Sequence, residues 1–371
     1  MGHGAVYDLA HNSPGVSAVT VADFDERAAN QVADGVGSAK VTPVRLDVSD
    51  GIRTAEIMGD HDAAISCVNY WHNEELSKIA IRTRTSFCDL GGNNYVVDSQ
   101  LALDEEARNA EVSIIPDCGL APGMVSLLAM HGAQRFDEIE EIHIRVGGLP
   151  QEPEPPLDYQ LVFSVEGLIN EYIEVARVIR DGKIAEVESM TELESLSFEG
   201  FPSLEAFQTS GGTSTLPDSF LGKLKELDYK TIRYTGHCEK FKTMIDLGLC
   251  SSDPVDIGGN TVVPRKLFGK LLQEYLPADG PDLVLIRVAF QGLKEGNRSR
   301  LNYDIVDRYD EGTGLSAMMR TTSFPASIIA QMMAAGDVKR RGATPQEAAI
   351  DPVRFVGELD RRGIVIRENW E

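Results

Sequence analysis

Arg233-Tyr234-Thr235-Gly236-His237 crowds four functional side chains into five residues beside a glycine. An arginine grips a carboxylate through its planar fork. A histidine moves protons near neutral pH, although a lone histidine is also a common satisfied structural residue. On a strand, Arg233 and Thr235 would face one side and Tyr234 the other, with Gly236 permitting a turn before His237. A second candidate is Asp117, in the turn-rich stretch PDCGLAPG at 116–123, suited to holding an ammonium group. Its neighbour Cys118 has nothing nearby in sequence to lower its pKa, which argues against a nucleophile. The Gly211-Gly212-Thr213-Ser214-Thr215 loop offers hydroxyls and backbone N–H groups that orient a carboxylate or simply close a loop. A last group consists of the acids and small residues that follow apolar runs: Asp23, Asp47, Cys67-Val68-Asn69 and Asp89-Leu90-Gly91-Gly92.

The elements around these residues give them their places. Ala5–Ala10 is helical, Asn12–Gly15 is a turn, and the β-branched run Val16–Ala22 ends in Asp23. That order is the back half of a dinucleotide-binding unit, in which an acid after the second strand accepts hydrogen bonds from a ribose and repels a 2′-phosphate. Asp23 therefore predicts NAD as cofactor, with a strand-ending turn as its alternative role. Asp25 is expected to cap the helix starting at Glu26. Gly2 can serve as the third glycine of G-x-G-x-x-G, where a helix packs closely. The first strand and the first two glycines are not in the sequence.

Strands are predicted at Val41–Leu46, Asp62–Val68, Ser86–Leu90 and Ser113–Pro116, with helices at Gly51–Met58, Glu74–Arg84 and Leu103–Ala110 between them. This is the rhythm of a doubly wound parallel α/β sheet, whose ligands bind beyond the carboxyl ends of the strands. Asp47 would lie near an adenine or cap the next helix; Cys67, Val68, Asn69, Asp89 and Gly91 would flank the rest of the cofactor. An apolar helix follows at Val125–Gln134. The chain then turns strand-rich, at Ile142–Val146, Val187–Met190, Lys230–Gly236, Leu283–Gln291, Ser299–Asp307 and Ser316–Thr321, with a helix at Val165–Tyr172. Pro325–Ala335, Pro345–Ile350 and Pro352–Arg362 are helical and Gly363–Arg367 is a short strand. The expected domains are 1–122 for the nucleotide, 123–324 for substrate and dimerisation, and 325–371 as helices returning to the first domain.

The length of 371 residues suits two domains. A formal charge of −23 argues against nucleic acid or an anionic membrane as partner, and implies a solubilising acidic surface or adaptation to high salt. Five scattered cysteines without a C-x-x-C pair read as reduced thiols of a cytoplasmic protein without a zinc site. No apolar run is long enough to span a bilayer and no signal peptide is recognisable.

The landmarks VADFD (21–25), CDLGG (88–92), IIPDCGLAPGM (114–124), VGGLPQEPEPPLDY (146–159), LEAFQTSGGTSTL (204–216), YKTIRYTGH (229–237) and TTSFPASIIAQ (321–331) resemble the saccharopine dehydrogenase family, most closely its lysine 6-dehydrogenase branch. The resemblance spans nearly the whole chain. It implies a Rossmann domain with an inserted mixed α/β domain, a homodimer, and NAD-dependent oxidation of the ε-amine of L-lysine to 2-aminoadipate 6-semialdehyde, ammonia and NADH. On that reading His237 transfers protons, Asp117 lines the amine end and Arg233 holds a carboxylate; Gly211, Gly212, Thr213, Ser214, Tyr234 and Tyr159 complete the substrate side. Saccharopine-forming members carry an acid where Ala121 stands, which disfavours saccharopine. The alternatives are a saccharopine or carboxylated-polyamine enzyme and a non-catalytic homologue. The absent first strand is expected to leave two parallel strands without a partner. Its explanation is either an internal Met1, with about ten residues upstream by the layout of the motif, or a shortened protein that has lost cofactor binding.

Overall fold

The computed structural model describes residues 1–371. In chain order it begins with α1 (Gly2–His11), β1 (Val19–Asp23), α2 (Glu26–Val36), β2 (Val41–Arg45), α3 (Gly51–Gly59), β3 (Ala63–Ser66), α4 (Asn73–Thr83), β4 (Ser86–Asp89), α5 (Asn94–Leu101), α6 (Asp104–Asn109), β5 (Ser113–Ile115) and α7 (Met124–Ala133). The strand-rich stretch holds β6 (Glu138–Pro150), α8 (Val165–Ile173), β7 (Ala176–Arg180), β8 (Lys183–Val187), β9 (Glu194–Leu196), β10 (Leu204–Gln208), α9 (Leu216–Phe220), β11 (Glu226–Tyr234), α10 (His237–Asp246), the small hairpin β12 (Val255–Ile257) and β13 (Asn260–Val262), α11 (Pro264–Tyr275), β14 (Asp282–Lys294) and β15 (Asn297–Arg308). The chain ends with α12 (Ala317–Ala334), β16 (Gly342–Ala343), α13 (Gln346–Ala349), α14 (Pro352–Arg361) and β17 (Arg367–Trp370).

Two compact units result. The first comprises Met1–His131, Ser214–Ser219 and Met319–Val365; the second comprises Gly132–Thr213, Phe220–Met318 and Ile366–Glu371. The division is more interleaved than three consecutive blocks. Six residues from the middle of the chain join the first unit, and the last six join the second, where β17 pairs with β15.

The first unit is α/β with parallel strands, as its βαβ rhythm implies. Its strands fall into two separate sheets, β1-β2 and β16-β5-β4-β3. Placed end to end, the series runs β2, β1, then an interruption, then β3, β4, β5 and β16. β1 pairs only with β2 and β3 only with β4, so each has one unpaired edge. Side chains cross this region instead. Thr20 Oγ1 of β1 lies 2.8 Å from Nε2 of His61, just before β3. Val6 and Ala10 of α1 pack with Val19 and Val36. Gly4 is the tight point of α1: a Cβ there would come within 3.0 Å of Ser323 Oγ and 3.3 Å of the Met319 carbonyl on α12. Asp25 caps α2 as expected, accepting the Arg27 amide.

The second unit is built on a sheet running β17-β15-β14-β6-β11-β10-β9, with the β7–β8 hairpin joined to β11. Only the β6–β11 pair is parallel. One core lies under α8, α10 and α11, around Tyr159, Leu168, Ile169, Tyr172, Phe207, Phe241 and Phe268. Another collects Leu149, Leu204, Ile232, Tyr234, Leu283 and Leu285.

Three sequence expectations fail locally: β8 ends at Val187 instead of spanning Val187–Met190, β17 begins at Arg367 instead of spanning Gly363–Arg367, and the third is at the start of α12. Ser316–Thr321, expected as a strand, includes the first turn of α12. Its Ala and Met residues favour helix, and Pro325 lies inside that helix instead of starting one. The β7–β8 hairpin has its own sequence signal: Asp181-Gly182, both at positive φ, is the turn pair that two-residue hairpins demand.

The first unit is tied across its sequence ends by a buried ion pair. Arg362 Nε donates to Asp8 Oδ1 at 2.7 Å, and its Nη1 donates to Glu358 Oε2 at 2.7 Å. Asp8 Oδ2 and Arg362 Nη2 have no partner, so the pair is incompletely satisfied. Removing one member leaves a buried charge alone. Arg362→Met is expected to lower unfolding stability by about 3 kcal/mol or more, read from urea denaturation at pH 7; a loss below 1 kcal/mol would show the pair to be dispensable.

Candidate active site

The carboxyl ends of the parallel strands bring the nucleotide-side residues into one unit. Asp23 ends β1 half-buried; its Oδ1 accepts the Asp25 amide at 2.9 Å, which leaves Oδ2 for a ligand. The first turn of α1 carries no side-chain cap, so its amides remain available to an anion. These two features fit the ribose and the pyrophosphate of a dinucleotide. Gly2, at the start of α1, faces the end of β3: a Cβ there would meet Cys67 Cβ at an ordinary 3.8 Å. Close helix packing is thus enforced at Gly4, not at Gly2. Cys67 is held as a thiol, its pKa pushed up to about 11 by burial. Val68 is exposed, and Asn69 opens the short helical turn Tyr70–His72. Asp47 is not the cap of α3. Its Oδ1 takes the amide and hydroxyl of Ser49 at 2.9 and 2.6 Å, while Asp50 caps the helix.

Deeper in the same unit, buried carboxyls gather without a cation. Asp89 accepts from the Gly91 amide at 2.8 Å, the Asp117 amide at 3.3 Å and Gln100 Nε2 at 2.7 Å. Asp117 follows β5 with φ +61, a left-handed backbone that aspartate adopts more readily than most residues. Its Oδ2 accepts the Ser214 hydroxyl and its Oδ1 has no partner. Only a glycine can face that oxygen: a Cβ on Gly91, itself at φ +78, would lie 2.1 Å from Asp117 Oδ1. Burial, reinforced by the neighbouring Asp89, pushes Asp117 up to about 8. Glu347, which sequence reasoning missed, accepts the Thr215 and Ser219 hydroxyls at 2.8 and 2.7 Å through Oε1, and its Oε2 is unpartnered. The segment 214–219 therefore lies over two buried carboxyls. No group of acids, histidines and cysteines converges to hold a metal ion. Cys118 is buried and its thiol is raised well above the usual range, so it is inert.

The second unit contains the other constellation. β11 carries Arg233 into the interior, 3% exposed. Its Nε donates to the Tyr172 hydroxyl at 2.8 Å and its Nη1 to the Ile232 carbonyl at 2.9 Å. The guanidinium carbon stands 4.7 Å over the Tyr159 ring and 5.8 Å over that of Tyr172. No carboxylate pairs with it, yet Tyr159, Tyr172 and Glu171 nearby hold its proton firmly. Tyr159 is fully buried with an unpartnered hydroxyl, raised to about 12 by burial. His237 opens α10, whose first amides are fixed by Glu205: its oxygens accept Gly236 N at 2.9 Å and Cys238 N at 2.6 Å.

Both nitrogens of His237 are engaged. The Leu157 carbonyl, 3.0 Å from Nδ1, can only accept, so Nδ1 carries the proton; Nε2 then accepts from the Tyr172 hydroxyl at 3.1 Å. Burial, with Arg233 close by, pushes the ring down to about 3, so it stays neutral. This is at odds with a group that changes charge near neutrality. Tyr234 takes the face expected from strand alternation, which separates it from Arg233 and from the substrate side the resemblance implied. It faces the opposite side of β11, donates to the Pro150 carbonyl at 2.8 Å and packs in the other core. The Gly211–Thr215 loop does not act as one element. Gly212 lies against the Tyr229 ring, where a Cβ would be 2.5 Å away, Thr213 Oγ1 donates to the Arg177 carbonyl at 2.8 Å, and Ser214 belongs to the first unit. Glu171 and Tyr172 were missed; Tyr172 closes the apolar stripe Val165, Leu168, Ile169 of α8, which was the available signal.

Two family models cover nearly all of the chain: the saccharopine dehydrogenase NADP binding domain matches residues 1–115 and the saccharopine dehydrogenase C-terminal domain matches 119–364. The chain belongs to the saccharopine dehydrogenase family. Among curated members, it is 27% identical over 254 residues to saccharopine dehydrogenase [NADP(+), L-glutamate-forming] of Pyricularia oryzae, covering 63% of this chain and 53% of that one. It is 26% identical over 276 residues to the Saccharomyces cerevisiae protein of the same name, covering 70% and 58%. The mitochondrial alpha-aminoadipic semialdehyde synthase of Bos taurus is 22% identical, covering 84% of this chain and 41% of that one. The chain thus spans about half the length of the curated relatives it matches. The apo structure of S. cerevisiae saccharopine dehydrogenase (L-Glu forming) superposes with a TM-score of 0.81 at 20% identity, over 100% of this chain and 98% of that one, which establishes the shared fold.

The buried acid of this family member has a stability consequence. Asp117 rises from an ordinary 3.8 to about 8 on folding, so between those values the folded state holds a proton that the unfolded state has lost. Stability accordingly falls as pH rises through that window and levels off above it. Asp117→Asn should remove this part of the slope, gaining on the parent from pH 5 to pH 8 by on the order of a few kcal/mol at the upper end. Asp89 and Glu347, raised in the same direction, leave a residual slope in both proteins. Parallel stability curves for the two proteins would show Asp117 to be ionised in the fold.

Proposed function

We propose that the chain is an NAD-dependent dehydrogenase that oxidises the ε-amine of L-lysine to 2-aminoadipate 6-semialdehyde, releasing ammonia and NADH. The observation that carries this is Arg233: a buried guanidinium without a counter-ion, with hydrogen-bonding capacity left over after Tyr172 and Ile232 are served. A carboxylate-bearing substrate satisfies it. His237 and Tyr172 act as positioning residues, holding Nε in a fixed direction so that the remaining edge of the fork meets the ligand. The Tyr159 hydroxyl is a free donor beside it.

The first unit supplies the dinucleotide side. Asp23 and the first turn of α1 would hold ribose and pyrophosphate, and a dinucleotide held there would supply the hydride acceptor for the amine-bearing carbon. The amine must be neutral for that transfer. Asp117 Oδ1, an unpartnered oxygen on an acid poised near 8, is the proposed proton acceptor. Water then adds to the resulting imine and ammonia leaves. We assign NAD on Asp23, although the family description and the fungal relatives name NADP. Arg45, exposed and paired in register with Asp23, is the feature that would suit a 2′-phosphate. A homodimer and a cytoplasmic location belong to the same reading. No helix is long and apolar enough to cross a membrane. The secondary-amine reading, with saccharopine or a carboxylated polyamine as substrate, draws its support from the relatives' names.

The decisive assay follows NADH formation with L-lysine, L-ornithine and saccharopine. Lysine should be the preferred substrate; activity confined to saccharopine would replace this proposal with the secondary-amine one. Loss of a charge-assisted fork costs about 2–4 kcal/mol, so Arg233→Met should raise KM for lysine about a hundredfold with a smaller change in kcat. An unchanged KM would remove Arg233 from substrate binding. Asp23→Ser should shift kcat/KM toward NADP by about tenfold or more; a parent that already prefers NADP would overturn the cofactor assignment.

A further inference from the structure

We infer that Glu171 is the partner of Arg233 in recognising an α-amino acid, the arginine taking the carboxylate and the glutamate taking the α-ammonium. The inference rests on the amino-acid substrate proposed above and adds the group that reads its charged head. Glu171 directly precedes Tyr172 on α8 and is held there by its carbonyl, which accepts the Ser210 amide at 2.9 Å. Tyr172 is the residue that fixes Arg233. Glu171 stands three residues after the buried Leu168 of α8 and so borders the helix face that carries Tyr172 into the interior; Arg233, Tyr159, Tyr172 and Tyr229 lie close enough to feel its charge.

The two charges do not satisfy each other. Arg233 spends its bonds on a tyrosine hydroxyl and a backbone carbonyl and forms no ion pair. The Glu171 side chain makes neither a hydrogen bond nor an ion pair, and retains accessible surface while protein surrounds it closely. A guanidinium and a carboxylate left apart in one low-dielectric interior are each costly to keep. A zwitterion bridges them, because its two charges meet them in complementary order and each buried group gains a charge-assisted hydrogen bond. Burial raises Glu171 to about 7 even with Arg233 near, and a bound ammonium would draw it back to the ionised form. The aromatic walls contribute too: Tyr159 and Tyr172 stabilise the cation of Arg233 through their ring faces and leave Glu171 as the acceptor for a second cation. A head group read this way selects α-amino acids over plain amines and plain carboxylates, whatever the chemistry at the other end of the ligand.

Direct binding to the whole chain tests this, by calorimetry with four probes: L-lysine; 6-aminohexanoate, which lacks the α-ammonium; cadaverine, which lacks the carboxylate; and L-norleucine, which keeps the zwitterion and lacks the ε-amine. The parent should bind L-lysine about thirtyfold more tightly than 6-aminohexanoate, the loss expected for one buried charged contact. L-norleucine should bind within about tenfold of lysine and cadaverine should bind worst. Glu171→Gln should bring the lysine to 6-aminohexanoate ratio close to one while leaving 6-aminohexanoate itself within about threefold. A ratio unchanged in Glu171→Gln, or a parent that does not distinguish the two ligands, overturns the inference. Should the variant fail to fold, the parent's ranking of the four probes decides alone. The outcome is separable from the dehydrogenase proposal: absence of NADH from any amine with the ranking intact refutes the activity and not the head-group site, while NADH formation with a flat ranking does the reverse.

Discussion

A buried guanidinium with no counter-ion is the constraint around which the second unit is arranged. Removing such a charge from water is expensive, and the structure offsets the expense without neutralising it. Two tyrosine rings face the cation, a tyrosine oxygen and a main-chain carbonyl accept two of its protons, and a neutral imidazole holds that tyrosine in line. Glu205, fixing the first amides of the helix that carries the imidazole, extends the same support outward. Each member serves to hold the arginine in one orientation with part of its fork unused. A fold that wanted only stability would have placed a carboxylate there, as it does for Arg145, which is paired with Asp228 and Glu194 in the same sheet.

The cluster around Asp117 in the first unit follows the opposite logic, with buried carboxyls and no cation among them. Asp89, Asp117 and Glu347 survive there because amides, an amide side chain and hydroxyls donate to them, and because burial raises all three. The segment 214–219 supplies three of those donors from a part of the chain that otherwise follows the strand-rich unit.

Much of this was legible in the sequence and some was not, for identifiable reasons. The βαβ rhythm, two parallel strands each with one unpaired edge, the cap at Asp25 and the opposite facing of Arg233 and Tyr234 follow from patterns of two and of 3.6 residues and from motif layout. The helical start at Ala317 was lost because Pro325 read as a beginning, whereas a long helix accommodated it. His237 looked like an acid–base group because its type was visible and its surroundings were not; burial and two fixed partners make it a prop. Glu171 and Glu347 gave no signal, since an acid on an amphipathic helix reads as solvated until tertiary packing encloses it.

The divided parallel sheet has a mechanical corollary. Within an uninterrupted sheet, main-chain ladders distribute load along every strand. Here β1-β2 and β3-β4-β5-β16 are fastened by rivets: the Thr20–His61 contact, the apolar footing of α1, and the Arg362–Asp8 clasp that pins that helix to the far end of the chain. Discrete rivets can fail one at a time. The seam between the two blocks is therefore where the nucleotide unit should begin to loosen, and Asp23 on one block would drift from the Gly91-Gly92 turn on the other well before either block melts.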